Sequence, residues 1–255
     1  MEGTTAIVAG AGPGIGRACA AALREAGADV VVAARDAGRL DRLARELGAG
    51  RGGRVVPVPC DVGDLASCRA LVDEVLTRLG RIDVLVSVAT YGGDLALIAE
   101  ADWQTWRRAF EVNVIGTLEL SRLAAGAMQA GGGGSIIQVG TFGTHALPPG
   151  RARYTATKQA MVTASLTLAK ELGPSGVRVN VVTPGYTTGP PLDAMLESIG
   201  ARSGEDAGEV SRRLAAGAAL RRHVDPADVA AAVVFLAGPG ARNVTGVELP
   251  VTAGR

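Results

Sequence analysis

The residues best suited to chemistry lie in "TFGTHALPPGRARYTATK", Thr141 to Lys158. Tyr154 and Lys158 are four apart, so on a helix they project from one face. A free phenol titrates near ~10, too high for an efficient base at neutral pH, and a neighbouring ammonium favours the phenolate. Proton transfer is most effective when that value approaches the working pH. Thr141 carries a hydroxyl 13 residues before the tyrosine. Set opposite the phenol, it can hold a substrate oxygen while the charge on that oxygen changes. In isolation a Tyr-x-x-x-Lys pair reads better as an exposed helix pair; what surrounds it decides.

The surrounding elements alternate from end to end. Runs rich in Val and Ile predict strands at Thr5–Ala9, Asp29–Ala34, Arg54–Cys60, Asp83–Ala89, Ser135–Gly140, Arg178–Thr183 and Val247–Val251. Helical spacing falls between them at Gly14–Ala26, Gly38–Leu47, Leu65–Leu79, Trp103–Met128, Tyr154–Leu172 and Pro226–Leu236. Nearly continuous apolar strands belong to parallel sheets buried on both faces. Repeated β-α units therefore predict an α/β fold, a doubly wound parallel sheet with helices on both faces. No repeat or linker divides residues 1–255, so one domain is expected. Residues 186–224 interrupt the rhythm, and a connection that long reads as a substrate lid. It follows a strand's carboxyl end, where this sheet type binds ligands.

The first strand runs into "AGAGPGIGRA", with Gly10, Gly12, Gly14, Ile15 and Gly16 in the turn. Glycines there permit a tight turn and close approach of backbone amides to a pyrophosphate, and the following helix presents its positive end. The second strand ends in "VVVAARD". Enzymes that use NAD usually place an acid at that turn to hold a ribose hydroxyl. This chain has Ala34 and then Arg35, and a guanidinium pairs with a 2′-phosphate. NADP(H) is therefore expected over NAD(H), with Arg17 and Arg39 adding to the field, although a solvated strand-end arginine gives the same pattern. Asp61 and Val62, in "CDVGD", offer a carboxylate and an amide to the adenine.

With these motifs in hand the chain resembles the short-chain dehydrogenase/reductase family over nearly its whole length. The resemblance rests on Gly10-x-x-x-Gly14-x-Gly16, Asp61-Val62, "NVIG" from Asn113, Tyr154-x-x-x-Lys158, Pro184-Gly185 and the closing "FLAGPGARNVTGVELPVTAG". It implies a Rossmann fold with seven parallel strands, hydride transfer between a nicotinamide and an alcohol/carbonyl pair, and a homotetramer or dimer. By the same resemblance Tyr154 is the proton donor or acceptor. Lys158 holds the nicotinamide ribose and lowers the tyrosine's pKa, and Asn113 anchors a relay water. Thr141 stands where the family usually has serine. Ala89, Pro184, Gly185 and Thr187 complete the implied cofactor contacts; Tyr186 and Met195 are substrate-side candidates, and so is His145, which reads equally well as a solvated loop histidine.

Four departures accompany the likeness. Ala9 replaces a usual threonine, "SVAT" (Ser87–Thr90) stands for N-N-A-G, Gly189 occupies a usual threonine position, and the chain closes in "VTAGR". They motivate a competing reading, a redox sensor or scaffold of the same fold without turnover. Leu192, Met195, Leu196 and Ile199 recur at helical spacing in the lid, as a cap on an apolar substrate or as lid packing. His223, beside Arg221 and Arg222, reads as a surface cluster. Trp103 and Trp106 read as core or subunit contacts.

A net charge of +1 without a long basic run argues against a nucleic-acid partner. No apolar run approaches the roughly 18 residues that span a bilayer, and the first residues lack a signal-peptide pattern. Cys19, Cys60 and Cys68 show no CxxC spacing, so reduced cysteines, no metal and a cytoplasmic setting are expected. The partner is then a small carbonyl or alcohol whose identity the fold does not choose. For the threonine, Thr141→Ala should lower kcat/KM by a factor of roughly 100 or more, the scale of one lost oxyanion donor. Thr141→Ser should be near neutral, and full activity in the alanine variant removes Thr141 from the chemistry.

Overall fold

The computed structural model describes residues 1–49 and 52–255. Seven parallel strands form one sheet: β1 (Thr5–Ala9), β2 (Asp29–Ala34), β3 (Val55–Pro59), β4 (Val84–Ser87), β5 (Gly134–Val139), β6 (Val177–Pro184) and β7 (Glu248–Val251). Their order is β3-β2-β1-β4-β5-β6-β7, so the chain reverses direction across the sheet between β1 and β4. The doubly wound expectation holds. Both outer strands carry proline, Pro57 and Pro59 in β3 and Pro250 in β7. An edge tolerates a residue that cannot donate to the ladder.

Alternate side chains of each strand enter opposite cores, the period-2 geometry of a sheet covered on both faces. Val8, Val30, Val32, Val86 and Ile137 pack with α1 (Ile15–Glu25), α2 (Ala37–Gly48) and α10 (Pro226–Ala237). Ile7, Val31, Leu85, Ile136 and Val179 pack with α3 (Leu65–Leu79) and α5 (Thr117–Ala130). Helix α7 (Ala152–Leu172) joins that second layer and carries Met161 and Val162 against Val181. Among the described residues no helix is long and apolar enough to cross a membrane.

The expected helix 103–128 is three pieces. Helix α4 (Trp103–Phe110) leads into a π-helical turn at Glu111–Gly116, and α5 follows. The cause is a close approach: a Cβ on Gly116 would sit 1.7 Å from the Val62 carbonyl. The widened turn also lets the Thr117 hydroxyl donate to the Val112 carbonyl at 3.0 Å. Such turns are frequent at functional sites, and Asn113 lies within this one.

Residues 186–224 hold α8 (Pro190–Ser203) and α9 (Ala207–Ala216). Leu192 and Leu196 meet Val210 in a small core of their own. Thr187 pairs with Val224 in an isolated bridge that ties the two ends of the segment together.

Candidate active site

A cleft of about 620 Å³ opens at the carboxyl ends of the strands. It starts where β1 and β4 part. Gly10 has φ +96°, and a Cβ there would lie 2.2 Å from the Ala89 nitrogen, so only glycine lets the two strand ends meet. Gly16 packs in the same way, its Cβ position 2.1 Å from the Gly10 carbonyl. Gly10 and Ala11 both donate to the Ala33 carbonyl, at 2.7 and 3.1 Å, and Gly12 donates to Gly10 at 2.8 Å. These backbone bonds shape the turn without the threonine that Ala9 replaces.

The same turn passes a test for a bound pyrophosphate. An added Cβ on Gly12 or Gly14 would meet nothing within 4 Å, so the mouth is open. No side chain caps α1 behind Gly14, which leaves its first amides and the positive helix end facing the cleft. Ile15 lines the cleft beside them.

Just past the end of β2, Arg35 is exposed, lines the cleft with Arg39, and forms no ion pair among the described residues. Arg17 does not join them, because its guanidinium pairs with Glu46 on α2. Val62 lines the cleft as expected. The Asp61 carboxylate, offered to the adenine by the sequence reading, already accepts from Arg108 at 2.8 Å and from the Gly63 amide at 2.9 Å. Arg108 on α4 was not foreseen. It also pairs with Glu111 at 3.2 Å, so it belongs to a salt-bridged bracket.

In the middle of the cleft Thr141 follows β5, while Tyr154 and Lys158 sit one turn apart on α7. Lys158 is 3% exposed. Its Nζ donates to the Val139 carbonyl at 2.8 Å, and burial pushes the ammonium from 10.5 down to about 8. Tyr154 is held above the ordinary phenol value by burial, opposed by a hydrogen bond to Thr141 and by the charge of Arg151. The guanidinium carbon of Arg151 stands 4.4 Å from the centre of the Tyr154 ring. Arg151 is thus a second cation beside the phenol, in addition to the Lys158 expected from the i, i+4 spacing. An arginine three residues before the tyrosine was visible in "RARY", and i, i+3 neighbours meet on a helix.

Asn113 is 1% exposed and fully engaged. Its Oδ1 accepts from the Tyr91 amide at 2.7 Å and from Thr90 Oγ1 at 3.2 Å. Its Nδ2 donates to the Tyr91 carbonyl at 3.1 Å and to Thr157 Oγ1 at 3.0 Å. An amide has two donor hydrogens and two acceptor lone pairs, so these four bonds make the side chain a clasp between the β4 loop and α7. Arg153 adds a second clasp, donating to the carbonyls of Gly92 and Asp94. Of the four departures, "SVAT" leaves a visible mark: the Ser87 hydroxyl is buried with no hydrogen-bond partner among the described residues, while Thr90 joins Asn113.

On the substrate side Tyr186 and Met195 line the cleft, with Leu192 and Ile199 beside them. Tyr186 is flanked by Arg255 at 4.7 Å and by the edge of His223 at 6.4 Å. His223 is part of the lid's base, hydrogen-bonded to Ser211 at 2.9 Å, and is not a surface cluster. His145 is a correction. It stacks on Phe142 in the short helix α6 (Gly143–Ala146), contacts Thr144, and is exposed away from the cleft. Pro184, Gly185 and Thr187 line the floor below the lid. Thr187 Oγ1 donates to the Gly185 carbonyl at 3.1 Å.

A family model described as enoyl-(acyl carrier protein) reductase matches residues 10–255. An uncharacterized oxidoreductase of Methylorubrum extorquens is 38% identical over 257 residues, covering 100% of this chain and 98% of that protein. L-sorbose reductase from Gluconobacter frateurii, solved with NADPH and L-sorbose, has a TM-score of 0.93 and 30% identity, covering 100% of this chain and 97% of the other. NAD+-bound xylitol dehydrogenase has a TM-score of 0.93 and 27% identity, covering 99% of both chains. The likeness runs through the whole chain, and these two solved proteins carry different dinucleotides.

The buried lysine has a measurable consequence. Its folded value lies below the unfolded one, so between about pH 8 and 10.5 the unfolded chain holds the proton more tightly. Folding stability from this group therefore rises with pH across that window, and its cost is fully present below it. Lys158→Met should be more stable than the parent near pH 7 by about 1–3 kcal/mol, with the gap closing towards pH 10. Urea unfolding at both pH values checks this. A gap that does not change with pH would show that burial is not acting on the ammonium.

Proposed function

The chain belongs to the short-chain dehydrogenase/reductase family, and from that premise we propose an NADP(H)-dependent reductase of carbonyls, or dehydrogenase of the matching secondary alcohols. The observation that carries the reading is the meeting of Thr141, Tyr154 and buried Lys158 in one cleft with an open glycine turn. Gly10, Gly12, Gly14, Ile15 and Gly16 would hold the pyrophosphate, Arg35 a 2′-phosphate, and Val62 and Ala89 the adenosine half. Pro184, Gly185 and Thr187 would hold the carboxamide, and Lys158 the adjoining ribose. The nicotinamide, when bound, supplies the hydride and is left oxidised.

In the reducing direction the carbonyl carbon gains that hydride and its oxygen gains the Tyr154 proton. Thr141 donates a hydrogen bond to the oxygen as its charge grows, and the phenolate then regains a proton from solvent past Lys158. A phenol held above its ordinary value is protonated at neutral pH, the form this direction needs. We assign residues 1–255 to one Rossmann-type domain with its lid at 186–224. Exposed Trp103, Phe110 and Ile115 support a homo-oligomer, and three free buried cysteines support a cytoplasmic setting.

Consumption of NADPH and NADH across a carbonyl panel tests the proposal. NADPH should be preferred, and Arg35→Ala should raise its KM about tenfold or more, with NADH little affected. Tyr154→Phe should lower kcat at least about 100-fold while NADPH binding, followed by fluorescence, persists. Native preference for NADH, or full turnover by Tyr154→Phe, contradicts it.

A further inference from the structure

We propose that Arg151 selects the substrate, and that the substrates are carbonyl compounds with an apolar body and a carboxylate close to the reacting carbon. This rests on the oxidoreductase reading above. Arg151 lines the cleft and is half-buried at the start of α7. Its guanidinium carbon lies 4.4 Å from the Tyr154 ring centre, so it is fixed beside the proton donor. It forms no ion pair among the described residues.

Every other cation lining the cleft has a different assignment. Arg108 is bound to Asp61 and Glu111, Lys158 to the Val139 carbonyl, and Arg35 and Arg39 stand at the adenosine end. Among the described residues the only acid lining the cleft is Asp61, which Arg108 holds. The same cleft carries apolar Leu95, Leu192, Met195 and Ile199, and Pro148 lies directly beside Arg151, its carbonyl accepting from the Arg151 amide at 3.2 Å. A planar guanidinium stacked on an aromatic face keeps its edge free for bidentate pairing with a carboxylate. An apolar wall strengthens that pairing by excluding water. At the start of a helix a cation opposes the positive dipole end, an arrangement that a bound anion relieves. A neutral ketone would leave the charge unpaired.

The test uses 2-oxo-4-phenylbutanoate and 4-oxo-4-phenylbutanoate, each beside its ethyl ester, with NADPH. The native protein should favour at least one acid over its ester about tenfold or more in kcat/KM, the scale of a charge-assisted pair. Arg151→Met should cut that acid-to-ester ratio at least about tenfold, and Arg151→Lys should retain part of it. Taking the ratio cancels any effect of Arg151 on Tyr154, because both compounds share the proton donor. Calorimetric binding of the same acid and ester to the NADP+-loaded protein gives a second readout, with the same preference expected and the same loss in Arg151→Met. Equal use and equal binding of acid and ester, or a ratio unchanged in Arg151→Met, overturns the assignment. Selective binding of the acid without turnover upholds Arg151 and overturns the hydride-transfer reading instead.

Discussion

Burial of the Lys158 ammonium is the constraint around which the site is arranged. A charge that is 3% exposed must find oxygen or lose its proton. The Val139 carbonyl accepts it at the end of β5, and its hold on the proton drops to about 8. This binds α7 to the sheet at the point where Thr141 begins. The packing of Met161 and Val162 on Val181 and the Asn113–Thr157 bond hold the helix in the same place. A buried lysine with a depressed pKa is costly for folding, the pattern that clusters at functional sites.

Two glycine contacts carry the same logic across the sheet. Gly10 against Ala89 brings β1 and β4 together at the crossover point, and Gly116 against Val62 forces the π-helical turn. That turn delivers Asn113, whose four hydrogen bonds hold the β4 loop against α7. Cofactor end and proton-transfer end are thus joined by backbone approach and one saturated amide. The lid stands apart from this frame, with its own small core and Tyr186 turned towards the cleft.

Much of this was legible in the sequence, because periodicity reports burial. Val30, Val31 and Val32 announced a strand covered on both faces, and the glycine spacing announced the first turn. Long-range contacts were not legible. The π-helical turn depends on the Val62 carbonyl, far away in the chain, so a continuous helix was the natural reading. The pairing of Arg108 with Asp61 joins residues 47 apart in the chain, so neither position announces it. His145 lay close in sequence to Thr141, but the short helix α6 turned it outward onto Phe142. The i, i+4 spacing places Lys158 on the Tyr154 face, but its burial and its bond to the Val139 carbonyl depend on packing against β5 that spacing does not report.

The central claim is that burial governs both ionisable groups in the cofactor-free protein, so Tyr154 stays protonated while Lys158 gives up its proton first. The most direct measurement is a titration of the Tyr154 ring by carbon-13 NMR of the tyrosine-labelled protein. Only three tyrosines are present, and Tyr154→Phe assigns the signal. The account predicts a midpoint above the ordinary phenol value of about 10. A midpoint below it, with Lys158 still charged, would contradict the account and return the lysine to the role the bare spacing suggested.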